Sequence, residues 1–184
     1  VAQELALGLA IGFMLKIAID AAVTAGQLVS TGMGLSFATV VDPQAGGMPL
    51  LGRFYLIIAT LLLLAGNAHL QLIQVLAQSY SMLPIGSGGL SAGAARQIAD
   101  FGGLMFVGAV KLAFPAMTAM LMVNVAFGVI SRAAPTLNLF AVGFPITLLM
   151  GFLIILLDVD AHGTIWNGQF AETLAALNGI LGGH

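Results

Sequence analysis

Gly34-Leu35-Ser36-Phe37-Ala38-Thr39-Val40-Val41-Asp42-Pro43-Gln44-Ala45-Gly46-Gly47-Met48-Pro49-Leu50-Leu51-Gly52-Arg53 separates two long apolar runs. It has the chemistry of a turn without the polarity of a loop. Asp42-Pro43 disfavours the right-handed helical conformation at Asp42, so a helix arriving from upstream is expected to stop there. Gly46-Gly47 loosens the backbone, and Pro49 fixes it again before Arg53 opens the next run. Phe37, Val40, Val41, Met48, Leu50 and Leu51 are too apolar for a water-washed loop. In a membrane protein, irregular backbone is tolerated at depth where protein buries it or where it lines a cavity. Residues 37–52 are therefore expected to fold into an interior.

Composition makes the membrane setting hard to avoid. The 184 residues are 60% hydrophobic and 7% charged, with a mean hydropathy of +1.09. Soluble domains carry about 25% charged residues. A net charge of −2 argues against a nucleic-acid partner. Cysteine is absent, which excludes disulfides and thiolate metal sites. The chain starts at Val1 inside an apolar periodicity with no sign of a cleavable leader, so further residues are expected upstream.

The first run, Gln3 to Ala38, places Gly8, Gly12, Lys16, Asp20, Thr24, Gln27, Thr31 and Gly34 at steps of three and four, along one helix face. Gly8 and Gly12 have the spacing that lets a second helix approach closely. Lys16 and Asp20 lie one turn apart. A neutralised pair at a helix interface is the plainer reading, and a proton-relay Asp20 the sharper one. The second run, Phe54 to Leu83, is aliphatic from Leu56 to Leu64. Asn67, Gln71, Gln74, Gln78 and Ser81 then draw a narrow polar stripe that faces protein or water, since lipid would penalise it. His69 lies off the stripe without a second histidine and reads as a hydrogen-bonded packing residue, not a metal ligand.

Pro84 to Ser91 is a turn, with Ser91 as a cap for a helix carrying Arg96 and Asp100. Pro115 is expected to kink or break the run that Phe101 to Phe114 begins and Met117 to Ile130 resumes. The methionines among them are core fillers. Ser131 to Asn138 is a second break, where Pro135 prevents continuation and Arg132 is placed to satisfy the preceding helix end. Leu139 to Pro145 and Ile146 to Leu157 are each too short to span a bilayer; together they reach the necessary length with a kink. Asp158 and Asp160 mark an exit to water. The tail, residues 164–184, contains a short amphipathic helix from Ile165 to Leu181, suited to an interface or to docking on the bundle. The five basic residues are spread too evenly to orient the chain.

Catalytic patterns are missing. There is no phosphate-binding loop, nucleophile elbow or dinucleotide fingerprint. Asp20 is the one acid well inside an apolar run, so a facing pair of aspartates is not available, and Gly86-Ser87-Gly88-Gly89 reads as a flexible turn. The expectation is a protein that is not an enzyme and needs neither cofactor nor metal.

The order of motifs resembles the type III export-gate family of FliR. Glu4 with Gly8, Gly12 and Phe13, then Ala25-Gly26 and Gly32 through Pro43, carry the first part of the likeness. Gly66-Asn67 with His69, Leu83-Pro84-Ile85-Gly86, Arg132 through Phe140 and Gly143-Phe144-Pro145 follow in the same order. The likeness covers nearly the whole chain as one domain, residues 1–184, without the family's N-terminal hydrophobic segments. It implies an all-α, membrane-type protein with long kinked and broken hydrophobic helices, one copy within a helical gate built with FliP and FliQ. Further implied partners are the FlhB-type gate protein, membrane lipid and unfolded exported chains, at the flagellar basal body in the bacterial inner membrane. It also implies that Phe37, Val40, Val41, Asp42, Pro43, Gly46, Gly47, Met48 and Pro49 form a pore plug. Lys16, Asp20, Gln27, Asn67, Gln71, Gln74, Gln78 and Arg132 are the candidates for the polar stripe or subunit interface. The paralogous virulence secretion gate is the alternative within the superfamily. A proton-coupled transporter using Asp20 and a purely structural assembly factor are the alternatives outside it.

Overall fold

The computed structural model describes residues 2–35, 48–82, 92–133 and 139–182. Among these the elements are all helices: α1 (Ala2–Gly32), α2 (Leu50–Ala65), α3 (Ala68–Met82), α4 (Ala92–Ala133), α5 (Leu139–Leu157) and α6 (Val159–Gly182). Helix α1 lies at the centre, packed most extensively on α4 and α2. Its buried line runs through Met14, Ala18, Ala21, Ala25 and Val29, a helical spacing filled largely by small side chains. Lys16, Gln27 and Thr31 lie outside it, exposed.

The close approach of α1 to another helix is at Gly26, not at Gly8 and Gly12. A Cβ on Gly26 would stand 2.5 Å from Leu51 O and 2.9 Å from Gly52 Cα, so the backbones of α1 and α2 touch there. A Cβ on Gly8 or Gly12 would meet nothing within 4 Å. Helix α1 also stops earlier than Ala38. Leu35 N–H donates to Ser30 O and Gly34 N–H to Thr31 O, both at 3.0 Å, and Gly34 takes φ 76°. This left-handed glycine cap satisfies the terminal carbonyls before Asp42-Pro43 is reached.

The second apolar run forms two helices. Gly66 and Asn67 divide α2 from α3 at an angle of 66°, with Asn67 left-handed at φ 55°. Neither proline breaks its helix: α4 runs for 42 residues through Pro115, and α5 runs through Pro145. On either side of Pro115, Leu112, Ala113, Ala116 and Met120 are buried in one cluster with Ala22, Ala25 and Val29 of α1. Packing thus keeps both halves of α4 in one helix despite the missing N–H. Helix α5 meets α6 at an elbow of 61° around Asp158. Helix α6 begins at Val159, ahead of the Ile165 expected, and docks through Trp166, Phe170, Thr173 and Leu177, all buried.

Among the described residues two helices, Glu4–Gly32 and Gly93–Ala133, are long and apolar enough to cross a membrane, or up to four spans if each bent pair counts as one. At 1.5 Å per residue, α4 measures about 63 Å, roughly twice the hydrocarbon thickness of a bilayer. Its most apolar window is only 17% buried. Much of the apolar surface is therefore left uncovered by the described residues.

Candidate functional site

The expected plug residues Phe37, Val40, Val41, Asp42, Pro43, Gly46 and Gly47 lie outside the described residues. Met48 and Pro49 lead into α2: Met48 is exposed, Pro49 is half-buried, and Pro49 O accepts from Arg53 N–H at 3.1 Å. Pro49 has an extended conformation, φ −50° and ψ 148°, which sets the direction in which the chain enters α2. Beside the capped end of α1, an open cleft of about 480 Å³ lies between Met33, Gly34, Asn124, Phe127, Phe144 and Thr147, that is, between α1, α4 and α5.

The polar stripe is on the outside of α3. Asn67, Gln71, Gln74 and Gln78 are all exposed, while Ala68, Val75 and Ser79 turn inward. Leu70 is exposed beside the stripe, and exposed Ile73, Leu76 and Tyr80 lie further round the helix, so the amides border a broader apolar face. On α1, Lys16 Nζ donates to Asp20 Oδ2 across one turn. Lys16 is largely exposed and Asp20 less so. Thr24 Oγ1 donates to Asp20 O at 2.8 Å and Thr31 Oγ1 to Gln27 O at 2.9 Å, so the polar groups of this face are tied to their own helix. Arg132 is exposed in the last turn of α4, where a cation complements the helix end. These residues sit on three separate helices, not in one pocket. His69 departs from expectation: its Nδ1 is buried without a hydrogen-bond partner among the described residues.

A polar cluster that the sequence did not reveal sits at the α5–α6 elbow. His162 Nε2 lies 3.0 Å from Tyr55 Oη of α2, and the two rings meet edge to face at 5.3 Å. His162 Nδ1 lies 2.7 Å from Asp158 O and 3.4 Å from Asp158 Oδ2. Trp166, one turn further on, closes the apolar side of the site. Asp158 is thus folded inward at the elbow and does not mark a plain exit to water; Asp160 is exposed. The Asp158–His162 spacing of four is visible in the sequence. Tyr55, 107 positions away, is not. No group of three or more His, Cys, Asp or Glu among the described residues could hold a metal ion.

Residues 1–173 match the family described as bacterial export proteins, family 1. The chain is similar to the flagellar biosynthetic protein FliR of Escherichia coli (strain K12), with 41% identity over 150 residues, covering 81% of this chain and 58% of the relative. The FliR of Pectobacterium carotovorum subsp. carotovorum is 40% identical over 180 residues, 97% of this chain and 69% of the relative. That of Bacillus subtilis (strain 168) is 28% identical over 183 residues, 97% of this chain and 71% of the relative. The chain therefore spans 58% to 71% of the length of these relatives. An all-helical, strongly apolar architecture and a match across almost every residue agree: the chain belongs to bacterial export proteins, family 1, with flagellar FliR proteins among its relatives.

Proposed function

We propose that this chain is a subunit of the flagellar type III protein-export gate, assembled with FliP and FliQ beside the FlhB-type gate protein in the bacterial inner membrane. Its role is that of a channel element for unfolded flagellar proteins, not a catalyst. The observation that carries this reading is the outer surface of α3, where Asn67, Gln71, Gln74 and Gln78 stand exposed on one face and Leu70, Ile73 and Tyr80 on the adjoining one. Water alone is a poor neighbour for those apolar side chains, and lipid a poor one for four side-chain amides. A protein partner or a pore wall meets both demands. Helix α4 supports the same view, being about twice as long as one bilayer crossing requires and mostly uncovered. The pairing of Asp20 with exposed Lys16 favours a neutralised surface pair over a proton relay.

The stretch from Phe37 to Pro49 supplies the closure in this reading, its apolar side chains sealing the resting channel as hydrophobic constrictions do. The deciding experiment co-expresses the complete protein with FliP and FliQ and compares wild type with a Gln71→Leu, Gln74→Leu double variant. The variant should retain its own expression but carry much less FliP and FliQ through purification, or lose export. Unchanged assembly together with unchanged export would overturn the assignment of the stripe. For the closure, shortening the stretch between Val41 and Met48 should leave assembly intact and let small ions leak through vesicles. An assembled complex as tight as wild type would remove the plug from the reading.

A further inference from the structure

We infer that the outward face of α4 is covered by an apolar helix of a partner subunit that presents a carboxylate to Lys111. The inference rests on the export-gate reading for the assembly in which that partner is found. Its starting point is a charge standing alone on an apolar surface. Lys111 lies near the middle of α4 and is exposed. Leu112, Ala113, Ala116 and Met120 hold the other side of the helix in the core with α1. At helical spacing, Leu104, Val107, Phe114, Met122, Val125 and Val129 share the face of Lys111, and all six are exposed.

Within this chain the ammonium is unanswered. Lys111 makes no hydrogen bond or ion pair among the described residues. The nearest acid along its own face is Asp100, about 16 Å away along the axis and beyond the reach of a lysine side chain. Asp20 of α1 is tied to Lys16. The backbone is open at the same level. Pro115 has no N–H to return to Lys111 O, so that carbonyl loses its ordinary helical donor. One residue thus brings a charge and an unsatisfied carbonyl to the same height on α4.

Lipid fits this face poorly. From Leu104 to Val129 the apolar strip is about 38 Å long, against about 30 Å of hydrocarbon in a bilayer. A tilt that brings the whole strip into hydrocarbon carries Lys111 in with it, about 10 Å from the Leu104 end. An upright helix with Lys111 at the polar surface leaves Leu104 and Val107 in water. A partner helix meets both demands. Its apolar side covers the strip along its length, and one aspartate or glutamate pairs with Lys111 away from water, where a charge-assisted hydrogen bond is strong. Lysine, a compact cation with three donors, suits a single carboxylate.

The test co-expresses the complete protein with FliP and FliQ and extracts the complex in a non-ionic detergent without added lipid. Wild type is compared with Lys111→Met and Lys111→Arg, and the FliP and FliQ recovered are counted per copy of this chain. Methionine favours a helix and suits lipid better than lysine does, so the variant chain keeps its own fold. Lys111→Met should carry about tenfold less FliP and FliQ, because a partner carboxylate is left buried without its cation. Lys111→Arg keeps the charge and should retain most of them. Lys111→Met that assembles as well as wild type overturns this inference alone and gives the face to lipid or solvent. Lys111→Arg that assembles as poorly as Lys111→Met also overturns it, since charge is then not what the partner recognises. A wild type that fails to bind FliP and FliQ overturns the export-gate reading and this inference with it.

Discussion

The bend between α2 and α3 and the bend between α5 and α6 are almost equal, 66° and 61°, yet they are built by different means. At the first, the backbone does the turning. Asn67 takes φ 55°, Gly66 N–H donates to Leu62 O at 2.8 Å, and Asn67 O accepts from Leu70 and Gln71 N–H. The hydrogen bonds close locally, and Asn67 itself is exposed. At the second, no residue is left-handed: the positive-φ residues among those described are Gly34 and Asn67. Asp158 N–H reaches Ile154 O and His162 N–H reaches Asp158 O, so one helical bond closes on each side of the elbow. Its direction comes from outside, through Tyr55 and the burial of Trp166 and Phe170. One bend is a property of its own residues; the other is a property of what it rests on.

Helix α2 serves both bends, so the largest expected effect comes from lifting it off α1. Gly26→Leu forces a side chain into the backbone of Leu51 and Gly52, which cannot give way as a flexible side chain does. A loss of about 3 kcal/mol is expected, the upper part of the usual overpacking range. Thermal unfolding of the detergent-extracted complete protein measures it, and Gly8→Leu, at an open position, is the control that should change little. A Gly26→Leu protein as stable as that control would contradict the close crossing.

The comparison itself is sharpened at Asn67. Asn67→Val places a β-branched residue in the left-handed region and should cost about 1–2 kcal/mol, whereas Asn67→Gly should be near neutral. The same unfolding measurement reads both, and equal losses for Val and Gly would show that the backbone conformation is not what sets this bend. The smallest effect belongs to the elbow. Tyr55→Phe keeps the ring packed and removes one hydrogen bond, for a loss of about 1 kcal/mol. Hydrogen exchange at the elbow amides should quicken while exchange around Gly66 and Asn67 stays as it was. Quickening at both bends together would mean that α2 transmits the change, and the two bends are then not independent.

The class of this protein is legible in its residue pattern: helical, membrane-type, with a polar stripe on one face of the segment after Asn67. Those features are periodic, and periodicity states which side of a helix is apolar. The sequence also carries the ordered motifs of the export family, from Gly32 through Pro43 to Gly143-Phe144-Pro145. Tertiary structure decided what meets each apolar side. The Gly8–Gly12 pair had the better spacing for a close helix crossing, yet Gly26 makes it, because Leu51 and Gly52 stand opposite. Pro115 had the local chemistry of a break, and α4 continues because Leu112, Ala116 and Met120 are held in one core with α1. Asp158 looked like an exit to water and became part of a buried contact because His162 and Tyr55 converge on the elbow. Local chemistry sets the preference of each segment at a few kcal/mol at most. Contacts between segments distant in the chain contribute on the same scale, and no window of sequence contains both partners.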